Sequence, residues 1–350
     1  MKIISKTIKI LPLLFVVFAF QACSDDDDAT TPVPEPTLLN IFATADASAD
    51  LTNLVAALEE ADLDMTLQGD GPFTVFAPTN DALAALLSAN GWATLADVPD
   101  DILENVLLNH VISGETIMAS DLTTAGSGYV NTLGSGADDQ NLSLYFNING
   151  NVVELNGGAE NSTDINAGAN VITADIMATN GVVHIVNSVI MPPTIADHAL
   201  ANPNLSSLVA ALASADSGTP TVSGGYIPTV SDATAGPFTI LAPTNAAFEA
   251  LLLDLDPSGE TALGDVDTAT VDAILTFHIT GAGNVQSSGL AGLNGSFPSL
   301  GGNISLDATE LTVTDDNDRV SNIIPELVNI QATNGVVHAI DQVLLPLQED

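Results

Sequence analysis

Apolar positions recur along the chain with two periods. Leu51, Leu54, Val55 and Leu58 fall at i, i+3, i+4 and i+7, which lines one face of a helix, and Leu205, Leu208, Val209 and Leu212 repeat the spacing. Leu103, Val106, Leu107 and His110 keep it too, matched by Val271, Ile274, Leu275 and His278, so each of two further helices is expected to carry a histidine on its apolar face. Phe73 to Phe76 reads as a buried strand ended by Pro78, and Thr79 or Asn80 stands where it would cap a helix bearing Leu83, Leu86 and Leu87. Asn180-Gly181 and Asn334-Gly335 sit between β-rich runs, with Val171 to Ile176 before the first and Val182 to Ile190 after it, which predicts hairpins. Helices gather early and strands late in each stretch, the order of an α+β fold.

These matches are parts of one long repeat. The Leu51 helix recurs after 154 residues, Gly71-Pro72-Phe73-Thr74-Val75-Phe76-Ala77-Pro78-Thr79-Asn80 recurs after 165 at Gly236 to Asn245, His110 after 168 at His278, and Ala178 to His184 after 154 at Ala332 to His338. Two whole domains of equal span are therefore expected, at 37–193 and 194–350, with loops of different length and almost no linker at Pro193-Thr194. Copy two carries eleven extra residues before its Gly-Pro-Phe, in the Gly218 to Ala235 stretch, and is 14 residues shorter between its two histidines.

Charge changes the picture of the partners. The chain holds 44 Asp and Glu against 4 Lys and Arg, with 46% hydrophobic residues, so it is apolar enough for two cores while strongly acidic outside. Three of its four cations, Lys2, Lys6 and Lys9, precede the apolar run Ile10 to Phe20, and Gln21-Ala22-Cys23 follows, the order of a secretory signal over residues 1–22. Losing that segment moves the formal charge from −40 to −43 and leaves Arg319 as the last cation. Lysine-based catalysis and nucleic-acid binding are excluded on that count, because both need cations. The single cysteine cannot form an internal disulfide, and Phe20-Gln21-Ala22-Cys23 resembles a lipobox, which implies that Cys23 is acylated. Residues 23–36 then form an acidic, proline-spaced tether whose Asp25 to Asp28 tract resembles the surface-export signal of lipoproteins in some Gram-negative bacteria. The expected location is the outer membrane, held only through the lipid and facing outward.

The blocks at 74–80 and 239–245, the helical histidines 110 and 278, and Asn-Gly-Val-Val-His followed by Pro192 or Pro346 together resemble fasciclin-like domains over about residues 37 to 347. The resemblance implies two tandem β-wedge sandwich domains with flanking helices, used in adhesion to cells or extracellular matrix. Adhesive members place a Tyr before the helical histidine, where Asn109 and Phe277 stand here. Asp175-Ile176-Met177 is similar to an Asp-Ile adhesion motif of animal members, but copy two has Val328-Asn329-Ile330, and the segment reads as strand.

No enzyme motif is present: there is no Gly-x-Ser-x-Gly, His-Glu-x-x-His or Gly-x-Gly-x-x-Gly, and no free nucleophilic cysteine. The expected role is a non-enzymatic adhesin whose partner is a cell-surface or matrix protein or a polysaccharide. The alternative is a polysaccharide- or small-ligand-binding lipoprotein serving uptake. Four of the five histidines are repeat-equivalent, so His110, His184, His278 and His338 are expected to be buried structural groups, with His184 and His338 bonded to the turns at Thr79-Asn80 and Thr244-Asn245. No cofactor is expected. Thr314 to Arg319 lacks the Gly and distal Glu of a calcium loop, so divalent cations are expected only as diffuse counter-ions. Tyr226-Ile227, an apolar pair inside the polar insertion of copy two, is the leading candidate for partner contact.

Overall fold

The computed structural model describes residues 38–159 and 168–347; Cys23 and its tether lie outside them. The first half runs α1 (Ile41–Asp46), α2 (Thr52–Glu60), α3 (Asp64–Gln68), β1 (Phe73–Pro78), α4 (Asn80–Asn90), α5 (Asp100–Leu108), β2 (Val111–Ser113), α6 (Ala119–Ala125), β3 (Ser127–Ser135), β4 (Asn141–Asn149), β5 (Val152–Leu155), β6 (Ala169–Ala178) and β7 (Gly181–Val186). The second runs α7 (Ile195–Ala201), α8 (Ser206–Asp216), α9 (Tyr226–Ser231), β8 (Phe238–Pro243), α10 (Asn245–Leu255), α11 (Thr268–Thr276), β9 (Ile279–Thr280), β10 (Ser296–Ser299), β11 (Gly302–Asp307), β12 (Thr312–Thr314), β13 (Val320–Asn322), β14 (Ile330–Ala332) and β15 (Gly335–Ile340).

The two halves build their sheets differently. In the first, seven strands join in the order β2-β1-β7-β6-β5-β4-β3, with β1 and β7 parallel and the other neighbours antiparallel. In the second, the equivalent strands form two four-stranded sheets, β14-β15-β8-β9 and β10-β11-β12-β13. The long β6 has no continuous counterpart, because Pro325 interrupts the segment between β13 and β14. Proline donates no ladder hydrogen bond, so it splits what copy one keeps as one bulged strand.

Strand alternation sorts the side chains into two cores per half. Along β1, Val75 and Ala77 face the helices with Leu54, Leu83, Leu103 and Leu107, while Phe76 faces the wedge of β-sheet with Ile112, Leu144 and Leu155. The second half repeats this with Ile240 and Ala242 on the helical side and Leu241 on the other. Both predicted hairpins are present, with Ala178 opposite Gly181 and Ala332 opposite Gly335.

The turn asparagines tie several elements together. Asn180 Oδ1 accepts the N–H of Ile41, its Nδ2 donates to the carbonyls of Leu67 and Gly69, and its own carbonyl accepts from Phe73. Asn334 does the same with Ile195, Val230, Asp232 and Phe238. Glycine follows each because a Cβ on Gly181 or Gly335 would lie about 2 Å from the carbonyl oxygen of Phe73 or Phe238.

Candidate functional site

Thr79 and Thr244 cap α4 and α10, each hydroxyl accepting the N–H three residues on, Ala82 at 3.2 Å and Ala247 at 3.4 Å. Asn80 then reaches sideways: its Oδ1 accepts the free N–H of Asn53 at the start of α2 (2.8 Å) and its Nδ2 donates to Ala49 O (2.9 Å). Asn245 staples α8 identically through Ser207 N and Pro203 O. The Thr-Asn motif is thus a helix-to-helix fastening whose polar atoms are occupied.

His184 and His338 do not bond to these turns, contrary to the sequence expectation. They sit on the wedge face of β7 and β15, one register position away from the helical side, and the loop after β2 or β9 is what lies opposite. His184 Nε2–H donates to Ile117 O (2.8 Å), while Nδ1 accepts the N–H of Asp175 (3.2 Å). Asp175 returns a bond by accepting Ala119 N–H (2.8 Å), and Thr74 holds the same loop, donating to Glu115 O (2.9 Å) and accepting from Ile117 N–H (2.8 Å). Copy two repeats all five bonds: His338 with Val285 O (2.9 Å) and Asn329 N–H (3.2 Å), Asn329 with Ser287 N–H (2.7 Å), and Thr239 with Gly283 O (2.7 Å) and Val285 N–H (2.9 Å). Only one neutral tautomer, protonated at Nε2, fits a carbonyl on one nitrogen and an N–H on the other. Burial lowers both pKa values and keeps the rings neutral.

Asp175 and Asn329 occupy left-handed backbone, φ +61° and +57°, at the kink that turns the strand past the ring. Asp and Asn tolerate that region better than other side chains. This accounts for the Asp-Ile segment: its Asp is spent on a strand bulge. Thr74 and Thr239 belong to the same constellation and were missed in the sequence, although both lie in the recurring Phe-Thr pair.

His110 and His278 were expected on helix faces; they lie two residues beyond the ends of α5 and α11. Their rings turn back so that Nδ1–H donates to Val106 O (2.7 Å) and Ile274 O (2.9 Å), carbonyls in the last turn of each helix, the second of which also accepts the Phe277 N–H. Nε2 accepts the N–H of Ile190 (2.9 Å) or Leu344 (3.0 Å), fastening the irregular segment that follows β7 or β15. Full burial pushes both pKa values down to about 4. The preceding residues are also committed. Asn109 is buried against Ile190 O and the Thr132 hydroxyl, and Phe277 packs in the second wedge core, so neither offers an adhesive surface.

His198, the one histidine without a repeat partner, sits at the joint between the halves. Its Nε2–H donates to Gln331 O (3.0 Å), Tyr129 of the first half meets its ring edge-on at 5.5 Å, and Asn202 donates to the Tyr129 hydroxyl (3.2 Å). Burial pushes its pKa down to about 4. The joint continues with Gln331 N–H donating to the Ser143 hydroxyl (2.9 Å) and Asn284 Nδ2 donating to Ala137 O (2.8 Å). Thr44, the copy-one counterpart of His198, is half-buried, and among the described residues no second domain is stacked on it.

Tyr226 is fully buried, so the sequence reading of it as a partner contact is corrected. Asp216 at the end of α8 accepts the N–H groups of Tyr226 (2.6 Å) and Ile227 (2.9 Å), and the Tyr226 hydroxyl donates to Asp272 Oδ1 (2.7 Å). These carboxylates fold the insertion inward as α9, and Ile227 packs on the helical core. The remaining large polar aromatics form no platform: Trp92 packs on the first helical core, Tyr145 is buried and Tyr129 is in the joint. Asp315, in the acidic run weighed for calcium, is buried and accepts from Asn317, Arg319 and Leu345 N–H at 2.9–3.0 Å. Among the described residues no three His, Cys, Asp or Glu side chains converge as a metal-binding group. No helix among them is long and apolar enough to cross a membrane.

Comparison with known proteins adds the family. The fasciclin domain model matches residues 49–192 and 203–346. Protein sll1483 of Synechocystis is 36% identical over 155 residues, covering 44% of this chain and 74% of that protein. Human periostin is 31% identical over 290 residues, covering 80% of this chain, which spans only 29% of periostin. Among solved structures, the FAS1 domain pair of the insect cell adhesion molecule fasciclin I aligns with a TM-score of 0.47 at 19% identity, covering 88% of this chain and 96% of that one.

Proposed function

The chain belongs to the fasciclin domain family, and from that premise we propose that it is a lipid-anchored, outward-facing adhesin of the bacterial outer membrane, without enzymatic activity, whose tandem domains at 37–193 and 194–350 hold a neighbouring cell or matrix. Fasciclin domains are associated with cell adhesion. One observation carries the non-enzymatic reading: the groups best suited to chemistry, the five histidines, are buried, which lowers their pKa values, and each is committed to a backbone carbonyl. What the protein offers outward is shape and negative charge. Partners are proteins or polysaccharides, and anionic ones are bridged by divalent cations acting as diffuse counter-ions.

Cys23 supplies the anchor in this reading, since two acyl chains on a cysteine hold a protein stably where a single chain does not. Two measurements test it. Cells carrying the wild type or Cys23→Ser are fractionated after lipid labelling, and attachment of cells to matrix-coated beads is scored for both. Loss of label, of membrane retention and of attachment together is expected for Cys23→Ser. Retention of the label by Cys23→Ser rejects the anchor, and wild-type attachment no greater than that of cells lacking the protein rejects the adhesin.

A further inference from the structure

The joint between the halves joins two different surfaces, and the repeat supplies an unused copy of each. The first half contributes the outer face of the β3–β4 hairpin: Tyr129, Ser143 and the Gly136-Ala137 corner. The second half receives it with His198, Asn202, Asn284, Gln286 and Gln331, of which His198, Asn202 and Gln331 are at most 2% exposed. By the repeat offsets, the receiving positions correspond in the first half to Thr44, Ser48, Thr116, Met118 and Met177. Among the described residues none of these is buried: Thr116 is exposed, Met177 is 44% exposed on the stretch of β6 beyond its pairing with β5, and Thr44, Ser48 and Met118 are half-buried. The donating hairpin corresponds in the second half to β10–β11, which presents Pro298, Asn303 and Ser305 outward and Leu300, 52% exposed, at its tip.

The two unused surfaces match in character. In a chain with 44 carboxylates, the eleven residues Ser296 to Leu306 contain none, and the five receiving positions of the first half are also uncharged. Inside the molecule a polar corner meets polar receivers, Gln331, Asn284 and Gln286. On the free surfaces, Met177 and Met118 replace Gln331 and Gln286, and a two-residue turn with Leu300 replaces the longer polar corner. Both changes go from polar to apolar.

We propose that the β10–β11 hairpin of one copy docks on the Met118 and Met177 face of a second copy, repeating the internal joint between molecules. Such a contact joins unlike surfaces, so each added copy leaves one of each surface for the next and the copies assemble head to tail beyond the dimer. Surface display, as proposed above, provides only the setting that brings copies together.

Cysteine cross-linking on cells tests this with the full chain, because the wild type has only Cys23. Variants Met177→Cys, Leu300→Cys and the double variant are displayed, oxidised with a mild catalyst and run without reductant. The double variant is expected to give a ladder of dimers, trimers and longer species. Each single variant alone stays monomeric, and the two singles expressed together stop at dimers. Equal cross-linking in a single variant, or no ladder in the double variant that circular dichroism shows to be folded, overturns the proposal. Oxidised multimers in the wild type report a free Cys23 and so count against the lipid anchor, not against the docking surface.

Discussion

The interior fastenings and the joint faces of the two halves have diverged to opposite extents. Around His184 and His338, five hydrogen bonds recur with the same donors and acceptors although the loops between them differ in length. At the joint face, all five receiving positions differ between copies. A buried polar group left without its partner costs about 1–3 kcal/mol, so the interior bonds must be kept wherever the fold is kept. A surface position is constrained only by what covers it, and among the described residues only the second half's receiving face is covered. His198 illustrates this, since its counterpart is Thr44 where no domain is stacked.

Acid should break the interior fastenings first. His110, His198 and His278 have folded pKa values near 4 against about 6.5 unfolded, so the unfolded chain binds more protons in that window. Their contribution is therefore complete above pH 6.5 and is lost as pH falls toward 4, by about 1.4 kcal/mol per pH unit for each. Melting temperatures measured across it should fall steeply; a flat profile would mean that the rings are not buried neutral.

The next effect is local. His278→Ala leaves the Leu344 N–H unpaired, removes one of the two bonds to Ile274 O and leaves a void, and a loss of about 4 kcal/mol is expected in chemical denaturation. At the joint, Gln331→Met installs the copy-one residue and removes bonds to Asn284, Ala332 and Gly335, costing about 2 kcal/mol. Calorimetry should then resolve two transitions, where a single one is expected for the wild type. A single unchanged transition would mean that the joint does not couple the halves. The smallest effect sharpens the comparison: Asp175→Asn, the residue of copy two, should be neutral to within about 0.5 kcal/mol, whereas Asp175→Ala should cost about 1–2 kcal/mol, because alanine tolerates the left-handed backbone at this position less well and the bond from Ala119 N–H is lost. Equal losses would make charge, and not the bulge, the property of interest.

Much of this architecture was legible. The offsets located both copies, the Leu51 and Leu205 spacings became α2 and α8, and Asn-Gly marked both hairpins. What escaped depends on separations that no local pattern carries. His184 meets Ile117 across 67 residues, and Gln331 meets Ser143 across 188. The histidine's partner follows from which face of β7 it occupies and which loop crosses there, and neither is written around residue 184. Tyr226 misled because a polar loop was taken to be an open one, whereas Asp216 and Asp272, ten and 46 residues away, draw its apolar residues inward.

The central claim is that the repeated histidine constellations serve the fold while adhesion resides on the surface. Attachment of cells displaying His184→Ala to matrix-coated beads, measured well below the variant's melting temperature and normalised to displayed, folded protein, tests it most directly. The account predicts a lowered melting temperature with attachment per folded molecule equal to wild type. An unchanged melting temperature with attachment lost would contradict it and place the binding function at His184 itself.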